Sequence, residues 1–254
     1  MKLKFLITSL TSCSGCISSL ISLDFFPQLL EKTEISYFPF IEDNELIEKG
    51  EYDVALVEGC ISNEFQIDLI KKIKKNTKHI IALGTCAAYG GITSLSKENI
   101  ALPLTDVIDI SGIIPGCPPP TKLFGNSLIK ILEQKEIVLS KKNLCDGCPI
   151  NNNYILSQET LINKLIPENK DLYTNDKQEC FLKKGIICLG PITRKGCDYE
   201  CIKVGMPCEG CMGPISKDIT SNMVNFISLA NISTDLKKYK GLYYRFSKPK
   251  ILRS

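Results

Sequence analysis

Thirteen cysteines and a single histidine stand in 254 residues, and the cysteines are grouped. Four fall in three short motifs: C-S-G-C at Cys13 and Cys16, G-T-C at Cys86, and P-G-C-P-P-P at Cys117. Eight more crowd a later block, where C-D-G-C-P carries Cys145 and Cys148, P-C-E-G-C carries Cys208 and Cys211, and Cys180, Cys188, Cys197 and Cys201 lie between. Cys60 stands apart. Three groups of four thiolates equal the ligand count of three cubane iron–sulfur clusters, a set that would carry electrons. Thiolate quartets suit structural zinc equally well by ligand type, so a zinc-stabilised binding module stays open at this point. A disulfide framework fits less well. The cysteine count is odd, and the chain opens M-K-L-K-F-L-I-T without a small-residue cleavage site, so its C-x-x-C pairs favour metal or redox chemistry.

The elements that must position these thiols follow from the hydrophobic pattern. Lys2 to Ser9 is a short apolar run that suits a buried strand, and Ile17 to Leu30 reads as a helix that Pro27 should kink or end. Further strands are expected at Glu34–Phe38, Asp53–Val57, His79–Leu83 and Asp109–Ile114. Asn63 and Gln66 form a helix-capping pair ahead of Ile67, Leu69, Ile70 and Ile73. Pro119 and Pro120 can open a helix with Leu123, Phe124, Leu128, Ile131 and Leu132 on one face. Strands alternating with helices predict an α/β fold over residues 1–135, a doubly wound parallel sheet of flavodoxin-like type. Ligands of such sheets bind outside the carboxyl ends of the strands. Cys13 and Cys16 follow the first strand, Cys86 the fourth and Cys117 the fifth, so four thiols distant in sequence should meet at one rim. Gly84, Gly90, Gly91 and Gly116 beside them permit tight turns and a close approach of backbone N–H groups to sulfur.

Past about Lys135 the alternation stops. Residues 136–230 are expected to form a loop-rich iron–sulfur cluster-binding domain whose eight cysteines supply two clusters. Metal is expected to order it, because so aperiodic a segment offers little apolar surface to bury. Pro149 and Pro207 stiffen the flanks of two C-x-x-C loops, and Glu209 puts an acid between Cys208 and Cys211. Residues 231–254 read as a basic tail. Lys237, Lys238, Lys240, Arg245, Lys248, Lys250 and Arg253 lie there, against a net charge of only +3 for the whole chain. Tyr239, Tyr243, Tyr244 and Phe246 are interleaved with them, a combination that suits single-stranded nucleic acid. Docking on a partner subunit is the expected use, since aromatic residues and arginine are the usual interface anchors. No apolar stretch approaches the ~20 residues of a membrane span, so no membrane span and no nucleic-acid partner are expected.

The motifs resemble a family. C-S-G-C near the start, V-E-G at 57–59, G-T-C-A-A-Y-G-G at 84–91 and P-G-C-P-P-P at 115–120 resemble the small, electron-transferring subunit of NiFe hydrogenases. The run G-I-I-C-L-G-P-I-T-R-K-G-C at 185–197 and P-C-E-G-C-M-G-P at 207–214 look most like the cytoplasmic methyl-viologen-reducing branch of methanogens and the related sulfhydrogenases. Together these motifs cover Lys4 to Pro214. The quinone-proximal subunit of respiratory complex I carries similar G-x-C-A and P-G-C-P-P motifs. Its relatives use adjacent cysteines near the start, whereas Cys13 and Cys16 are separated by two residues.

The resemblance implies that Cys13, Cys16, Cys86 and Cys117 hold a proximal 4Fe-4S cluster facing a nickel-iron site in a large partner subunit. It implies a medial cluster on Cys197, Cys201, Cys208 and Cys211 and a distal one on Cys145, Cys148, Cys180 and Cys188. Periplasmic relatives have a histidine on the distal cluster and a proline in place of one medial thiol; Cys145 and Cys201 fill those places, so three cubanes are expected. Those relatives also carry a twin-arginine export signal, absent here, so a cytoplasmic location is expected. Oxygen-tolerant members carry an extra thiol where this chain has Gly15, so sensitivity to air is expected. Electrons from dihydrogen would leave to a flavin or 2Fe-2S acceptor subunit, in an assembly that could include heterodisulfide reductase. The alternative within redox enzymes is a complex I-like, quinone- or ferredoxin-linked iron–sulfur subunit.

Three residues complete the expectations. Cys60 should share the rim with the proximal set, as an inert buried thiol or as a residue tuning the cluster. Glu58 is a candidate for a proton path beside the subunit interface, or else a hydrogen-bonded structural carboxylate. His79, at the start of a strand on the side of the sheet away from the rim, is assigned no role.

Overall fold

The computed structural model describes residues 2–38, 50–96, 100–153, 155–167, 179–216, 219–237, 241–243 and 245–247. Two compact units emerge, Met1–Val138 with Lys250–Ser254, and Leu139–Pro249.

In the first unit the strands are β1 (Leu3–Ser9), β2 (Thr33–Tyr37), β3 (Tyr52–Glu58), β4 (Thr77–Leu83) and β5 (Gly112–Ile114), and the helices α1 (Gly15–Ile21), α2 (Phe26–Lys32), α3 (Glu64–Asn76), α4 (Gly84–Tyr89) and α5 (Thr121–Leu132). All four strand pairings are parallel, in the order β2-β1-β3-β4-β5. This is the flavodoxin-like doubly wound order. Alternate residues divide between the two faces of the sheet. Phe5, Ile7, Val54, Leu56, Ile81 and Leu83 pack under Ile17, Leu20 and Leu29 of α1 and α2 and Phe124 and Leu128 of α5. Leu6, Ala55, Val57, Ile80 and Ala82 pack under Ile70 and Ile73 of α3 and Ala87 and Ala88 of α4. Burial on both faces explains the near-continuous apolar strands, and each such side chain contributes about 1.5–3 kcal/mol relative to exposure.

Two boundaries differ from expectation. The stretch from Ile17 to Leu30 is two helices, and Pro27 opens the second instead of ending the first, because a proline in the first turn forfeits no intrahelical bond. The fifth strand is confined to Gly112–Ile114, the residues that reach β4. The Asn63 cap holds: its side chain accepts the Gln66 N–H at 2.9 Å. The Gln66 amide does not turn back to Asn63; its Oε1 accepts the Ser62 N–H at 2.7 Å and its Nε2 donates to Thr11 Oγ1 at 3.0 Å.

The second unit holds a short parallel pair, β6 (Leu161–Ile162) with β7 (Asn231–Ile232), and helices α6 (Glu200–Lys203), α7 (Ile219–Leu229) and α8 (Thr234–Lys237). Contrary to the expectation of too little apolar surface, it builds a core from Leu144, Ile162, Phe181, Ile186, Leu189, Met223 and Phe226. Most of these residues come from irregular segments, where burial leaves no periodicity in the sequence. Among the described residues, no helix is long and apolar enough to cross a membrane.

Candidate functional site

The carboxyl ends of four strands align. Ser9 of β1 pairs with Glu58 of β3, Glu58 with Leu83 of β4, and Leu83 with Ile114 of β5. Every expected ligand of the first set leaves from this row. After Ser9 the chain turns through Ser14, held at φ 61, so that Cys16 enters α1. The buried Glu58 carboxylate fixes that turn, accepting the Cys16 N–H at 2.9 Å and the Ser9 hydroxyl at 2.8 Å. After Leu83, Gly84 at φ +80 starts α4 at once and places Cys86 in it. After Ile114, Gly116 leads to Cys117. Thr85 joins these two loops, for its N–H donates to the Gly116 carbonyl at 3.0 Å and its Oγ1 accepts the Gly116 N–H at 3.0 Å.

The four thiols so placed feel one another. Burial, followed by the charges of Glu58, Cys86, Cys117 and Cys13, drives the Cys16 thiol far up. Cys86 is pushed up to about 12 by burial, with Cys117, Cys60 and Cys13 among its further neighbours, and Cys117 is raised by burial and then Cys13. Cys13 and Cys117 are exposed while Cys16 is buried, so the set opens outward from the sheet. The backbone leaves room only for sulfur. A Cβ on Gly84 would stand 2.3 Å from Cys16 Sγ, and one on Gly91 2.4 Å from Cys86 Sγ. Four thiols with glycine backbone pressed against two of them fit the donor chemistry of a cubane.

Cys60 follows β3 and is fully buried, with Sγ 3.1 Å from Thr93 Oγ1 and donating weakly to the Thr11 carbonyl at 3.7 Å. Burial raises its thiol as well, and its charge reaches Cys86. His79 is exposed near the amino-terminal end of β4, the opposite end from the rim.

In the second unit the structure gathers Cys145, Cys148, Cys180 and Cys188. Cys145 is held up at about 12 by burial and then by Cys188, Cys180 and Cys148. Cys188 reaches about 12 through burial, although Gly190 and Cys208 N–H groups pull it down. Gly190 lies between two of these sulfurs, where a Cβ would be 3.2 Å from Cys145 Sγ and 3.6 Å from Cys188 Sγ. Of the other four, Cys201 is raised by burial, then Cys197 and Glu209. Cys208, almost wholly enclosed, is raised by burial and then by Cys188, with Cys211 a further neighbour. The Cys208 N–H donates to Cys188 Sγ at 3.3 Å, so the two groups adjoin. Among the described residues no three His, Cys, Asp or Glu side chains are grouped to hold a single metal ion.

Several residues that hold these loops gave no sign of it in the sequence. The Leu144 N–H donates to the Thr193 carbonyl at 2.8 Å, the Leu189 N–H to the Cys208 carbonyl at 2.8 Å and the Arg194 N–H to the Gly213 carbonyl at 2.9 Å. Arg194 also donates through its guanidinium to the Ser140 and Ile215 carbonyls. Asp146, between Cys145 and Cys148, pairs with Lys195 at 2.8 Å and Lys142 at 3.1 Å, which hold its carboxyl below the ordinary range. Tyr199 donates to the Asp146 carbonyl at 2.6 Å.

The tail is used differently from expectation where it is described. Tyr243 is buried edge-on against Phe226, with ring centroids 6.5 Å apart, and Arg245 pairs with Glu209 at 2.7 Å. Lys238, Tyr239, Lys240, Tyr244, Lys248, Lys250 and Arg253 lie outside the described residues.

A doubly wound sheet with a cysteine set at its carboxyl rim, joined in sequence to a second cysteine-rich unit, defines an iron–sulfur subunit of an oxidoreductase. The family described as NADH ubiquinone oxidoreductase, 20 Kd subunit, matches residues 13–131. The chain is 34% identical to a vhu subunit of the F420-non-reducing hydrogenase from Methanocaldococcus jannaschii, over 96% of this chain and 94% of that one. It is 31% identical to sulfhydrogenase 2 subunit delta of Pyrococcus furiosus, over 84% and 86% of the two chains. The fold matches that of the [NiFeSe] hydrogenase from Desulfovibrio vulgaris Hildenborough with a TM-score of 0.65 at 20% identity, covering 86% of this chain and 95% of that one. The chain therefore belongs to the family of NiFe hydrogenase small subunits, in the branch that includes the F420-non-reducing hydrogenases of methanogens.

Proposed function

We propose that the chain is the electron-transfer subunit of a cytoplasmic NiFe hydrogenase. Residues 1–135 form its proximal-cluster domain, 136–230 its medial- and distal-cluster domain, and 231–254 its basic tail. Cys13, Cys16, Cys86 and Cys117 hold the proximal 4Fe-4S cluster, Cys197, Cys201, Cys208 and Cys211 the medial one, and Cys145, Cys148, Cys180 and Cys188 the distal one. When bound, the three clusters would accept and release electrons one at a time between a large subunit that oxidises dihydrogen at nickel and iron and a flavin or 2Fe-2S acceptor subunit, with heterodisulfide reductase as a candidate for the downstream assembly. The carrying observation is the aligned strand row whose loops bring four thiols to one rim, with Gly84 and Gly91 leaving space for nothing larger than a hydrogen atom beside two of them.

The chain's own residues then have defined tasks. Glu58 holds the Cys16 N–H and thereby the first ligand loop. Its buried carboxylate also stands where a proton could be carried beside the proximal set. Thr85 locks the Cys86 and Cys117 loops together. Leu144 and Leu189, buried beside the second set, keep water from its sulfurs.

The test is anaerobic purification of the chain from its host, with metal analysis and hydrogen-dependent viologen reduction on one sample. About twelve irons per chain, nickel in a co-purifying large subunit and viologen reduction support the reading. Iron without nickel or hydrogen uptake would favour the complex I-like subunit, and zinc in place of iron would end the electron-transfer reading.

A further inference from the structure

Both C-x-x-C loops of the second unit have the form cysteine, acid, glycine, cysteine, and both acids are met by a cation from elsewhere in the chain. Asp146 is held by Lys195 at 2.8 Å and Lys142 at 3.1 Å. Glu209 is held by Arg245 at 2.7 Å, from 36 positions further along. The Arg245 and Glu209 side chains are 37% and 47% exposed, and accessible pairs contribute little to stability. Their charges matter for what lies beside them. Glu209 follows Cys208 directly, and its carboxylate acts on Cys201, whose thiol is raised by burial, then Cys197, then Glu209. An unpaired carboxylate beside four thiolates would oppose the arrival of a further negative charge, and a paired one opposes it less. The position of Arg245 is itself built in, because Tyr243 two residues earlier is buried against Phe226.

We propose that Arg245 is a positioning residue for electron transfer: by pairing with Glu209 it keeps the set Cys197, Cys201, Cys208 and Cys211 easier to reduce than it would otherwise be. The tail thereby becomes part of the site. This inference rests on the reading of the chain as an iron–sulfur electron-transfer subunit.

The experiment is a redox titration followed by electron paramagnetic resonance on the intact, anaerobically purified complex, with iron content measured on each sample. Arg245→Gln is expected to lower the midpoint potential of one cluster and leave the other two in place. Glu209→Gln should raise the same midpoint, and the double variant should return it toward the wild-type value, all at unchanged iron content. A purely structural contact would lower iron content without moving any midpoint. Identical midpoints in the wild type and Arg245→Gln, or an equal shift of all three, overturn the inference while the electron-transfer reading stands. If Arg245→Gln loses iron, Glu209→Gln decides, with a raised midpoint supporting the inference and an unmoved one overturning it. A wild-type complex without iron–sulfur signals overturns the underlying reading and the inference with it.

Discussion

Thr85 and Gly116 exchange two hydrogen bonds, each of 3.0 Å, across the ends of β4 and β5. The next residue on each side is an expected ligand, Cys86 or Cys117, so this pair sets the separation of two ligand loops. Thr85→Val keeps the side-chain shape but leaves the enclosed Gly116 N–H without its acceptor, a cost of about 1–3 kcal/mol. Iron in the first set and the thermal midpoint should both fall in Thr85→Val and be kept in Thr85→Ser. Metal analysis and calorimetry of the two variants check this.

Gly91 sits at φ +60, where a Cβ would stand 2.4 Å from Cys86 Sγ. Gly91→Ala combines backbone strain with a collision that the buried α4 cannot relieve. The expected outcome is loss of about four irons per chain, those of the first set alone, with the signals of the second unit retained. Full iron content in this variant would show that the thiol has another place to go.

Glu58→Gln tests the two tasks of that carboxylate separately. The amide oxygen can still accept the Cys16 N–H, now held by the carboxylate at 2.9 Å, so iron content should stay near the wild-type level. If the carboxylate carries protons, hydrogen-dependent viologen reduction should fall by about two orders of magnitude, the usual scale for losing a proton-transfer group. Undiminished turnover at full iron content would leave Glu58 with positioning alone.

Burial, with neighbouring thiols behind it, holds Cys86, Cys145 and Cys188 up at about 12 where an ordinary thiol lies at 9.0. Metal-free, these sulfurs keep their protons at neutral pH and must release them when they ligate. Reconstitution with iron and sulfide should therefore tighten as pH rises from about 7 to about 9. The metal-free fold responds in the opposite direction. Its thiols bind protons more strongly than the unfolded chain's do, so their contribution is complete below about pH 9 and disappears as pH climbs toward 12. Denaturant midpoints of the metal-free protein across this window give the check.

What the sequence revealed and what it hid follow from the range of the interactions. Val54, Ala55, Leu56 and Val57 announce a strand because both faces of β3 are buried, and the cysteine motifs show themselves by spacing alone. Pro27 misled, since nothing local says whether a proline ends one helix or begins the next. Phe181, Ile186 and Leu189 share a core without any period, so a packed unit looked like loop. Thr85 was invisible for a different reason: its partner is a backbone N–H 31 positions away, and a hydroxyl carries no mark of its acceptor or donor. Lys195 and Arg245 looked like surface charge until Asp146 and Glu209 appeared opposite them.

The row Ser9, Glu58, Leu83 and Ile114 also governs where this chain can change its length. Each ligand loop is measured out from that common starting line, so one residue added between Ser9 and Cys13, or between Leu83 and Cys86, would displace a sulfur by about one residue's rise, roughly 3.3 Å. Turns at the opposite ends of the strands carry no such measurement. Natural insertions, fused domains or affinity tags should accumulate there, while the distances from strand end to thiol stay fixed across chains whose other loops differ widely.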